Sequence, residues 1–228
     1  MSDPVSCDLV IFDCDGVLVD SEVISCRVHA EALTRHGYPI TAEEVHARFL
    51  GRSARDANLE IERELGRALP AAYDGDRRTA LLEALARSVE AIPHAHEALS
   101  AIGRRMCVAS SGAHDKIFTT LSRAGLYHRF APHIFSAMQV RASKPAPDLF
   151  LLAAAEMAVA PSRCLVVEDS VSGVTAARAA GMGVIGFTGG SHCRPGDDGP
   201  LRDAGAGVVI DDMRALPRLV AEYRCPAV

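Results

Sequence analysis

The stretch Leu9-Val-Ile-Phe-Asp13-Cys-Asp15-Gly16-Val17 decides the fold. Its four apolar residues, Leu9–Phe12, predict a buried strand, and this run ends abruptly in Asp-x-Asp-Gly. Residues i and i+2 of a strand share a face, so Asp13 and Asp15 converge beyond the strand end. Two close carboxylates need a cation, a shared proton or both. The stretch therefore predicts a nucleophile, an acid and a metal at one edge of a sheet.

Two other interpretations of this stretch are weaker. An EF-hand loop also begins Asp-x-Asp, but it requires a third ligand at position five, Gly at six and Glu at twelve. Val17, Leu18 and Ile24 occupy those positions, so an EF-hand is excluded. Asp-Gly is also common in hairpin turns, which leaves a solvated turn as the less favoured alternative.

Composition limits the classes of partner. The 228 residues carry a net charge of −5, and no basic stripe with interleaved aromatic residues is present. We therefore expect neither nucleic acid nor a membrane surface as a partner, but a small anionic ligand in a local site. Seven scattered cysteines without CxxC pairs, and a first segment without a basic signal-peptide region, predict a cytoplasmic protein. We expect a monomer.

Short apolar runs alternate with helical patterns along most of the chain. This alternation predicts an α/β fold with a parallel sheet covered on both faces. The predicted strands are Leu9–Phe12, Met106–Ala109, Leu165–Val167, Val184–Phe187 and Val208–Ile210, and the predicted helices between them include Asp115–Ala124, Pro147–Ala158 and Ser170–Ala180.

A helical segment interrupts this alternation. Between Glu22 and about Ser88, charged and Ala-rich patterns run without a clear strand, and Thr41-Ala-Glu-Glu44 matches a capping box. We predict a catalytic core formed by residues 1–19 and 92–228, with an inserted all-helical cap domain, residues 20–91, on two hinge linkers. The Gly- and Pro-rich segment Gly189–Pro200 is predicted to be a surface loop.

Polar residues follow the apolar runs, where an open parallel sheet binds its ligands. Ser110-Ser111-Gly112 follows the second run, Glu168-Asp169-Ser170 follows a later one, and Lys144 precedes a helix start. Taken singly, each has an ordinary explanation, as a helix cap or a solvated lysine. Together they supply a carboxylate nucleophile, a hydroxyl, a fixed cation and acidic ligands for Mg²⁺, which is the set that phosphoryl transfer needs.

Two other motifs carry less weight. Gly181-Met-Gly183-Val-Ile-Gly186 fits the dinucleotide pattern but precedes a strand instead of following one, so a helix end leading into a strand is favoured. His94-Ala-His96 lacks a carboxylate or cysteine companion, so a surface role is favoured over a metal site.

Four motifs in order over nearly the whole chain resemble those of the haloacid dehalogenase superfamily, in the group of phosphatases similar to β-phosphoglucomutase. The motifs are Asp13-Cys-Asp15-Gly16, Ser110, Lys144-Pro145 and Glu168-Asp169. The resemblance implies a Rossmann-like core with a helical cap inserted after the first strand.

The resemblance also implies a role for each residue. Asp13 becomes phosphorylated, and Asp15 protonates the leaving alcohol and later deprotonates water. Ser110 and Lys144 hold phosphoryl oxygens, with Ser111 beside them. Mg²⁺ is bound by Asp13, the Asp15 backbone carbonyl and Asp169, with Glu168 direct or through water.

Two positions depart from relatives. Ser25 stands where the mutase carries a cap-linker histidine, which favours hydrolysis, and Ser111 stands where many related phosphatases carry Asn. In the cap, Gly51-Arg52-Ser53-Ala54-Arg55 resembles the substrate-specificity loop, and a hydroxylated or carboxylated substrate could meet Arg52 and Arg55.

The sequence thus predicts an enzyme, an Mg²⁺-dependent phosphatase that hydrolyses a small sugar phosphate or sugar-acid phosphate such as 6-phosphogluconate. A β-phosphoglucomutase-type mutase is the main alternative. Dehalogenation and a catalytically silent metabolite sensor are weaker ones.

Overall fold

The computed structural model describes residues 6–49 and 54–225, apart from the side chains of residues 54–56. The chain divides into two compact units. The core unit contains the residues up to Asp20 and from Glu90 onward, and the helical unit is Ser21–Val89. These boundaries lie within two residues of those predicted for the core and the cap.

The elements of the core unit alternate between strand and helix. In chain order they are β1 (Leu9–Phe12), α5 (Ala95–Ala101), β2 (Arg105–Ser110), α6 (His114–Arg123), α7 (Tyr127–Phe130), β3 (Ile134–Ser136), α8 (Asp148–Glu156), β4 (Cys164–Glu168), α9 (Val171–Ala179), β5 (Gly183–Phe187), α10 (Asp198–Asp203), β6 (Val208–Ile210) and α11 (Leu216–Glu222). The helical unit contributes α1 (Glu22–Arg35), α2 (Ala42–Phe49), α3 (Ala54–Leu65) and α4 (Tyr73–Ser88).

The sheet of the core unit is parallel throughout its six strands. Its order is β3-β2-β1-β4-β5-β6. The chain builds outward from β1 to β3 on one side and then returns to place β4 on the other side of β1. The order therefore reverses between β1 and β4, and ligands of open α/β sheets bind beyond the carboxyl ends of the strands at such a switch point.

The register of the central strands determines which residues meet at that edge. Phe12 of β1 is paired with Val108 of β2 and with Val167 of β4. The next residue along β1 is Asp13, whose N–H donates to the Val167 carbonyl at 3.0 Å. Asp13 therefore emerges beside Glu168, the last residue of β4.

Burial on both faces explains why the central strands are continuous apolar runs. All residues of β1 and β4 are buried, as expected for a parallel sheet covered by helices. One face packs in a cluster with α8 and α9 that includes Leu149, Phe150 and Val174. This packing holds the strand ends, and so the residues after them, in fixed positions.

The helical unit has its own apolar core. Leu33, Ile61 and Tyr73 are among its buried members. The predicted capping box is present at the start of α2, because Thr41 N–H donates to Glu44 Oε2 at 2.8 Å and Glu44 N–H donates to Thr41 Oγ1 at 3.2 Å. Helices α1–α4 occupy most of the described part of this segment.

The structure corrects the sequence-based fold in two places. Strand β3 was not predicted, because its three residues follow Pro132 and His133 and are too short to give an apolar pattern. The segment Gly189–Pro200 is not simply a surface loop: α10 begins at Asp198, and Gly190 and His192 are buried. The glycine series before β5 behaves as predicted, since Gly181 follows α9 with φ +75° and Gly183 opens β5.

Among the described residues, no helix has both the length and the apolar character that crossing a membrane requires.

A partly buried histidine makes the stability of the helical unit depend on pH. The His29 ring lies 6.2 Å from the Phe49 ring and 6.4 Å from the Tyr73 ring, and its Nε2 has no hydrogen-bond partner among the described residues. Burial, with a further contribution from Arg77, lowers the pKa of His29 to about 4. The folded unit therefore prefers the neutral ring.

We expect acid to destabilise the helical unit through His29. Between the ordinary pKa of 6.5 and the folded value of about 4, the unfolded chain binds more protons, so folding stability falls as the pH is lowered through this range. The loss should reach about 2–3 kcal/mol near pH 4. Urea unfolding followed by circular dichroism should show a smaller loss for His29→Phe than for the wild type or for His128→Phe, an exposed control. Equal losses in all three proteins would contradict this assignment.

Candidate active site

The two aspartates after β1 lie in the predicted place. Asp13 is buried, and Asp15 is largely buried two residues later. Gly16 follows with φ +76°, and its N–H donates to the Val19 carbonyl at 2.8 Å, so the chain turns back immediately after Asp15. This left-handed conformation favours glycine. The turn keeps both carboxylates at the carboxyl edge of the sheet.

Lys144 connects the ends of three adjacent strands. Its ammonium donates to Asp13 Oδ1 at 2.5 Å, to Glu168 Oε1 at 2.7 Å and to the Ala109 carbonyl of β2 at 3.0 Å. An ammonium has three N–H donors, and all three are used. The side chain is 3% exposed, so Lys144 is a buried cation held between two carboxylates and not a solvated lysine.

Glu168 is held from its other side by the start of α9. Its Oε2 accepts hydrogen bonds from the N–H and the hydroxyl of Ser170, both at 2.9 Å. A Cβ at Gly173 would lie 1.8 Å from Glu168 Oε1, so the carboxylate occupies the space that glycine leaves in the first turn of α9. Both oxygens of Glu168 therefore have protein partners, and its predicted contact with a metal stays a prediction.

Asp15 pairs with a lysine that sequence reasoning missed. Lys116 Nζ lies 2.8 Å from Asp15 Oδ1. Lys116 belongs to the first turn of α6, the helix that follows the Ser110 loop. The sequence has only two lysines among its 24 Lys and Arg residues, and both contact carboxylates of this site. The position of Lys116 just after a strand end was the available signal.

Asp169 pairs with a buried histidine. His192 Nε2 lies 3.2 Å from Asp169 Oδ2. Burial lowers the pKa of the imidazole, but the hydrogen bonds and charges of Asp169 and Cys193 together outweigh it and raise the pKa of His192 to about 10. His192 lies in the segment after β5 that had been predicted to be a surface loop. No periodicity or motif in the sequence pointed to it.

Ser110 lies at the end of β2 in a turn that is supported from β3. Its hydroxyl oxygen accepts the Gly112 N–H at 3.0 Å, and Ser136 Oγ donates to the Gly112 carbonyl at 2.6 Å. Ser110 is buried and Ser111 is exposed. The alternative role of this segment as a side-chain cap is not observed, because α6 begins after Ala113 without a side-chain cap.

Electrostatics at this edge reflect buried negative charge. Burial raises the pKa of Asp13 well above its usual range, although Lys144 opposes this effect. Burial also raises the pKa of Asp169. Burial disfavours the Lys144 ammonium, but Asp13 and Glu168 outweigh this and raise its pKa. The buried Cys14 thiol has a strongly raised pKa and is therefore not a thiolate nucleophile.

The donor atoms of this edge suit a hard cation. Asp13, Asp15, Glu168 and Asp169 offer carboxylate and carbonyl oxygens, the ligands that Mg²⁺ prefers. Among the described residues, however, no three His, Cys, Asp or Glu side chains are arranged as a ready metal site. Lys144 pairs with Asp13 and Glu168, and His192 pairs with Asp169. The donor chemistry fits Mg²⁺, and the arrangement of ligands around it stays a prediction.

Other predicted residues lie elsewhere or outside the described part. Arg52 lies outside the described residues, and Arg55 lies in α3 with its side chain outside that description. Ser25 lies in α1 of the helical unit, where its hydroxyl donates to the Ser21 carbonyl. His94 and His96, for which a surface role was favoured over a metal site, contact Glu97 and the Ala124 carbonyl, respectively.

The sequence is similar to curated phosphatases. The model of the family described as haloacid dehalogenase-like hydrolase matches residues 7–181. A 6-phosphogluconate phosphatase of Escherichia coli K12 is 34% identical over 82% of this chain and 86% of its own. A fructose-1-phosphate phosphatase of the same organism is 34% identical over 77% of this chain and 94% of its own. The predicted resemblance to phosphatases of the haloacid dehalogenase superfamily is thus confirmed.

Solved structures agree with these relatives. A haloacid dehalogenase-like protein of unknown function from Agrobacterium tumefaciens C58 has a TM-score of 0.84 and 44% identity, with 95% of this chain and 98% of that chain covered. A candidate β-phosphoglucomutase from Thermotoga maritima has a TM-score of 0.75 and 25% identity, with 95% and 99% covered. The α/β Rossmann-like fold is therefore confirmed, and the chain belongs to the haloacid dehalogenase-like hydrolases, as a phosphoric monoester hydrolase.

Proposed function

We propose that this protein is an Mg²⁺-dependent phosphatase that hydrolyses a small phosphorylated carbohydrate through an aspartyl-phosphate on Asp13. The observation that carries the proposal is the buried contact of Lys144 with Asp13 Oδ1 at the switch point of the sheet. Lys144 fixes one oxygen of the buried Asp13 carboxylate. The other oxygen, Oδ2, is left to attack phosphorus.

In the first half-reaction, Asp13 Oδ2 forms a bond to phosphorus while the bond from phosphorus to the alcohol oxygen breaks. Asp15 supplies a proton to the departing oxygen, so the sugar leaves as an alcohol. Asp15 follows Asp13 by two residues, just before the turn at Gly16, and we propose that it faces the departing oxygen. Ser110 would donate to a phosphoryl oxygen.

In the second half-reaction, water attacks phosphorus of the aspartyl-phosphate. Asp15, now a carboxylate, accepts a proton from this water, and the bond from phosphorus to Asp13 breaks to release inorganic phosphate. Asp13 and Asp15 thus return to their starting states. The same pair of carboxylates performs both half-reactions, which divides one slow hydrolysis into two easier displacements.

Asp13, the Asp15 backbone carbonyl and Asp169 are the groups that would hold Mg²⁺, with Glu168 direct or through water. When bound, Mg²⁺ neutralises negative charge on the transferring phosphoryl group. Lys144 supplies a second, fixed positive charge to the same region, and it also positions Asp13 between β2 and β4.

We propose a phosphorylated carbohydrate as the substrate class. Two similar proteins are a 6-phosphogluconate phosphatase and a fructose-1-phosphate phosphatase. Within this class we favour a sugar-acid phosphate such as 6-phosphogluconate, for which Arg52 and Arg55 of the helical unit are the proposed contacts. The helical unit is proposed to act as a cap. A cytoplasmic monomer remains our expectation.

A β-phosphoglucomutase-type isomerase is the second candidate, favoured by the likeness to the Thermotoga maritima structure. It would use the same two aspartates but return the phosphoryl group to a sugar. Ser25 favours the phosphatase, because this position lacks the histidine of the mutase. The two candidates differ in their product.

A panel of sugar phosphates and sugar-acid phosphates, with 6-phosphogluconate included, tests the function. Purified protein with Mg²⁺ should release inorganic phosphate from at least one of them, and Asp13→Asn should lose at least about 10³-fold in kcat because the nucleophile is removed. Asp198→Asn, an exposed control in a surface pair with Arg202, should retain activity. No phosphate release from any substrate would refute the phosphatase, and isomerised sugar phosphate without free phosphate would identify the mutase.

Metal removal gives a second test. Activity on the best substrate should disappear in excess EDTA and return when Mg²⁺ is added beyond the chelator, since the buried carboxylates and the phosphate ester repel one another without a cation. Phosphate release is again the measurement. Undiminished turnover in EDTA, with metal content checked by elemental analysis, would show that the chemistry needs no divalent cation.

Substitution of Lys116 should selectively slow the hydrolysis of phosphate esters that have an alcohol leaving group. Lys116→Met removes the group that holds the Asp15 carboxylate, so we expect kcat/KM to fall by about 10-fold or more for a sugar phosphate. The loss should be smaller for p-nitrophenyl phosphate, whose leaving group needs little protonation. The ratio of the two kcat/KM values is the measurement, because this parameter reports steps up to release of the leaving group. Equal losses for both substrates would argue against a role through Asp15.

A further inference from the structure

The segment after β5 places a buried histidine beside a predicted metal ligand. This segment, Gly189–Cys193, will be called the histidine loop. Its His192 is 7% exposed, and its Nε2 lies 3.2 Å from Asp169 Oδ2. Cys193 Sγ lies 3.3 Å from the same nitrogen, but a thiol is a weak acceptor. The carboxylate is therefore the partner that fixes the ring nitrogen.

Two glycines make room for this pair. A Cβ at Gly16 would lie 1.9 Å from Asp169 Oδ2 and 2.8 Å from His192 Cε1. A Cβ at Gly190 would lie 2.6 Å from His192 Cε1. Contacts this short do not occur without displacement of one partner. The β1 turn and the histidine loop thus both lack side chains at the points where the imidazole and the carboxylate meet.

The histidine loop is also anchored next to His192. The N–H and the hydroxyl of Ser191 both donate to Asp20 Oδ1, at 3.1 and 2.8 Å. Asp20 is itself fixed, because its N–H donates to the Glu90 carbonyl at 3.0 Å. The backbone that carries the imidazole is therefore attached to Asp20, after the β1 turn, which limits the positions that His192 can take.

We propose that His192 is a positioning residue that holds Asp169 in the orientation for binding Mg²⁺. With Oδ2 held by the imidazole, Oδ1 is the oxygen that a cation meets. A partner that orients a ligating carboxylate in this way typically changes metal affinity when it is removed. The inference rests on the proposed function, since it takes Asp169 as a ligand, and it extends the site to a segment that none of the four motifs includes.

The test is a calorimetric titration of the full chain with Mg²⁺ alone, without substrate. We expect His192→Phe to weaken Mg²⁺ binding by about 10- to 100-fold, and the Mg²⁺ concentration for half-maximal phosphate release to rise by a similar factor. At saturating Mg²⁺, the KM for substrate should change by less than about 3-fold, because the histidine acts through the metal ligand. His192→Gln retains an N–H donor and should recover most of the affinity.

Two glycine substitutions, one a test and the other its matched control, keep the inference testable if His192→Phe misfolds. Gly190→Ala leaves His192 in the sequence but displaces its ring, so it should also weaken Mg²⁺ binding. Gly199→Ala adds the same methyl group where nothing lies within 4 Å, and it should bind Mg²⁺ as the wild type does.

The results separate this inference from the proposed function. Wild-type Mg²⁺ affinity in both His192→Phe and Gly190→Ala would overturn the role of His192, whatever the change in melting temperature. Tighter Mg²⁺ binding in His192→Phe would overturn it as well, because the histidine would then compete with the metal. Failure of the proposed function would look different: the wild type itself would neither bind Mg²⁺ nor release phosphate.

Discussion

The buried ammonium of Lys144 is the interaction on which the rest of the site depends. It joins Asp13 after β1, Glu168 at the end of β4 and the Ala109 carbonyl of β2, and so connects three adjacent strands at the reversal of strand order. Buried charges are tolerated only when they are paired and hydrogen-bonded. Removal of one partner would leave an uncompensated buried charge, so neither Asp13 nor Glu168 can be replaced without consequences for the other.

Two glycines leave the space that the Glu168 and Asp169 carboxylates occupy. Gly173 leaves the space that Glu168 fills at the start of α9, and Gly16 leaves the space that Asp169 fills beside the β1 turn. An added Cβ would fall within 2 Å of a carboxylate oxygen in both cases. Glu168 and Asp169 are adjacent at the end of β4 and extend in different directions, each into such a space. The separate directions allow one to hold Lys144 and the other to face His192.

The sequence predicted most of the fold and the acidic half of the site. A parallel sheet brings its carboxyl ends to one edge, so Asp13, Asp15 and Glu168 could be placed together from the apolar runs that precede them. Lys116 and His192 could not be placed in this way. Their contacts depend on the direction in which α6 begins and on a loop that returns from β5 to β1, and neither leaves a periodic pattern. Strand β3 was missed because three residues are too few to form a periodic apolar pattern.

The basic partners of the site do not fully offset its acidic side chains. Each of the four acidic side chains meets a basic one: Asp13 and Glu168 meet Lys144, Asp15 meets Lys116, and Asp169 meets His192. Four carboxylates face two ammonium groups and one imidazole, so the acidic groups outnumber the basic ones even when the imidazole is protonated. A phosphate monoester brings nearly two more negative charges, and burial strengthens every repulsion among them. The proposed divalent cation would offset this charge, so that the carboxylates of the site and the ester could occupy one buried place.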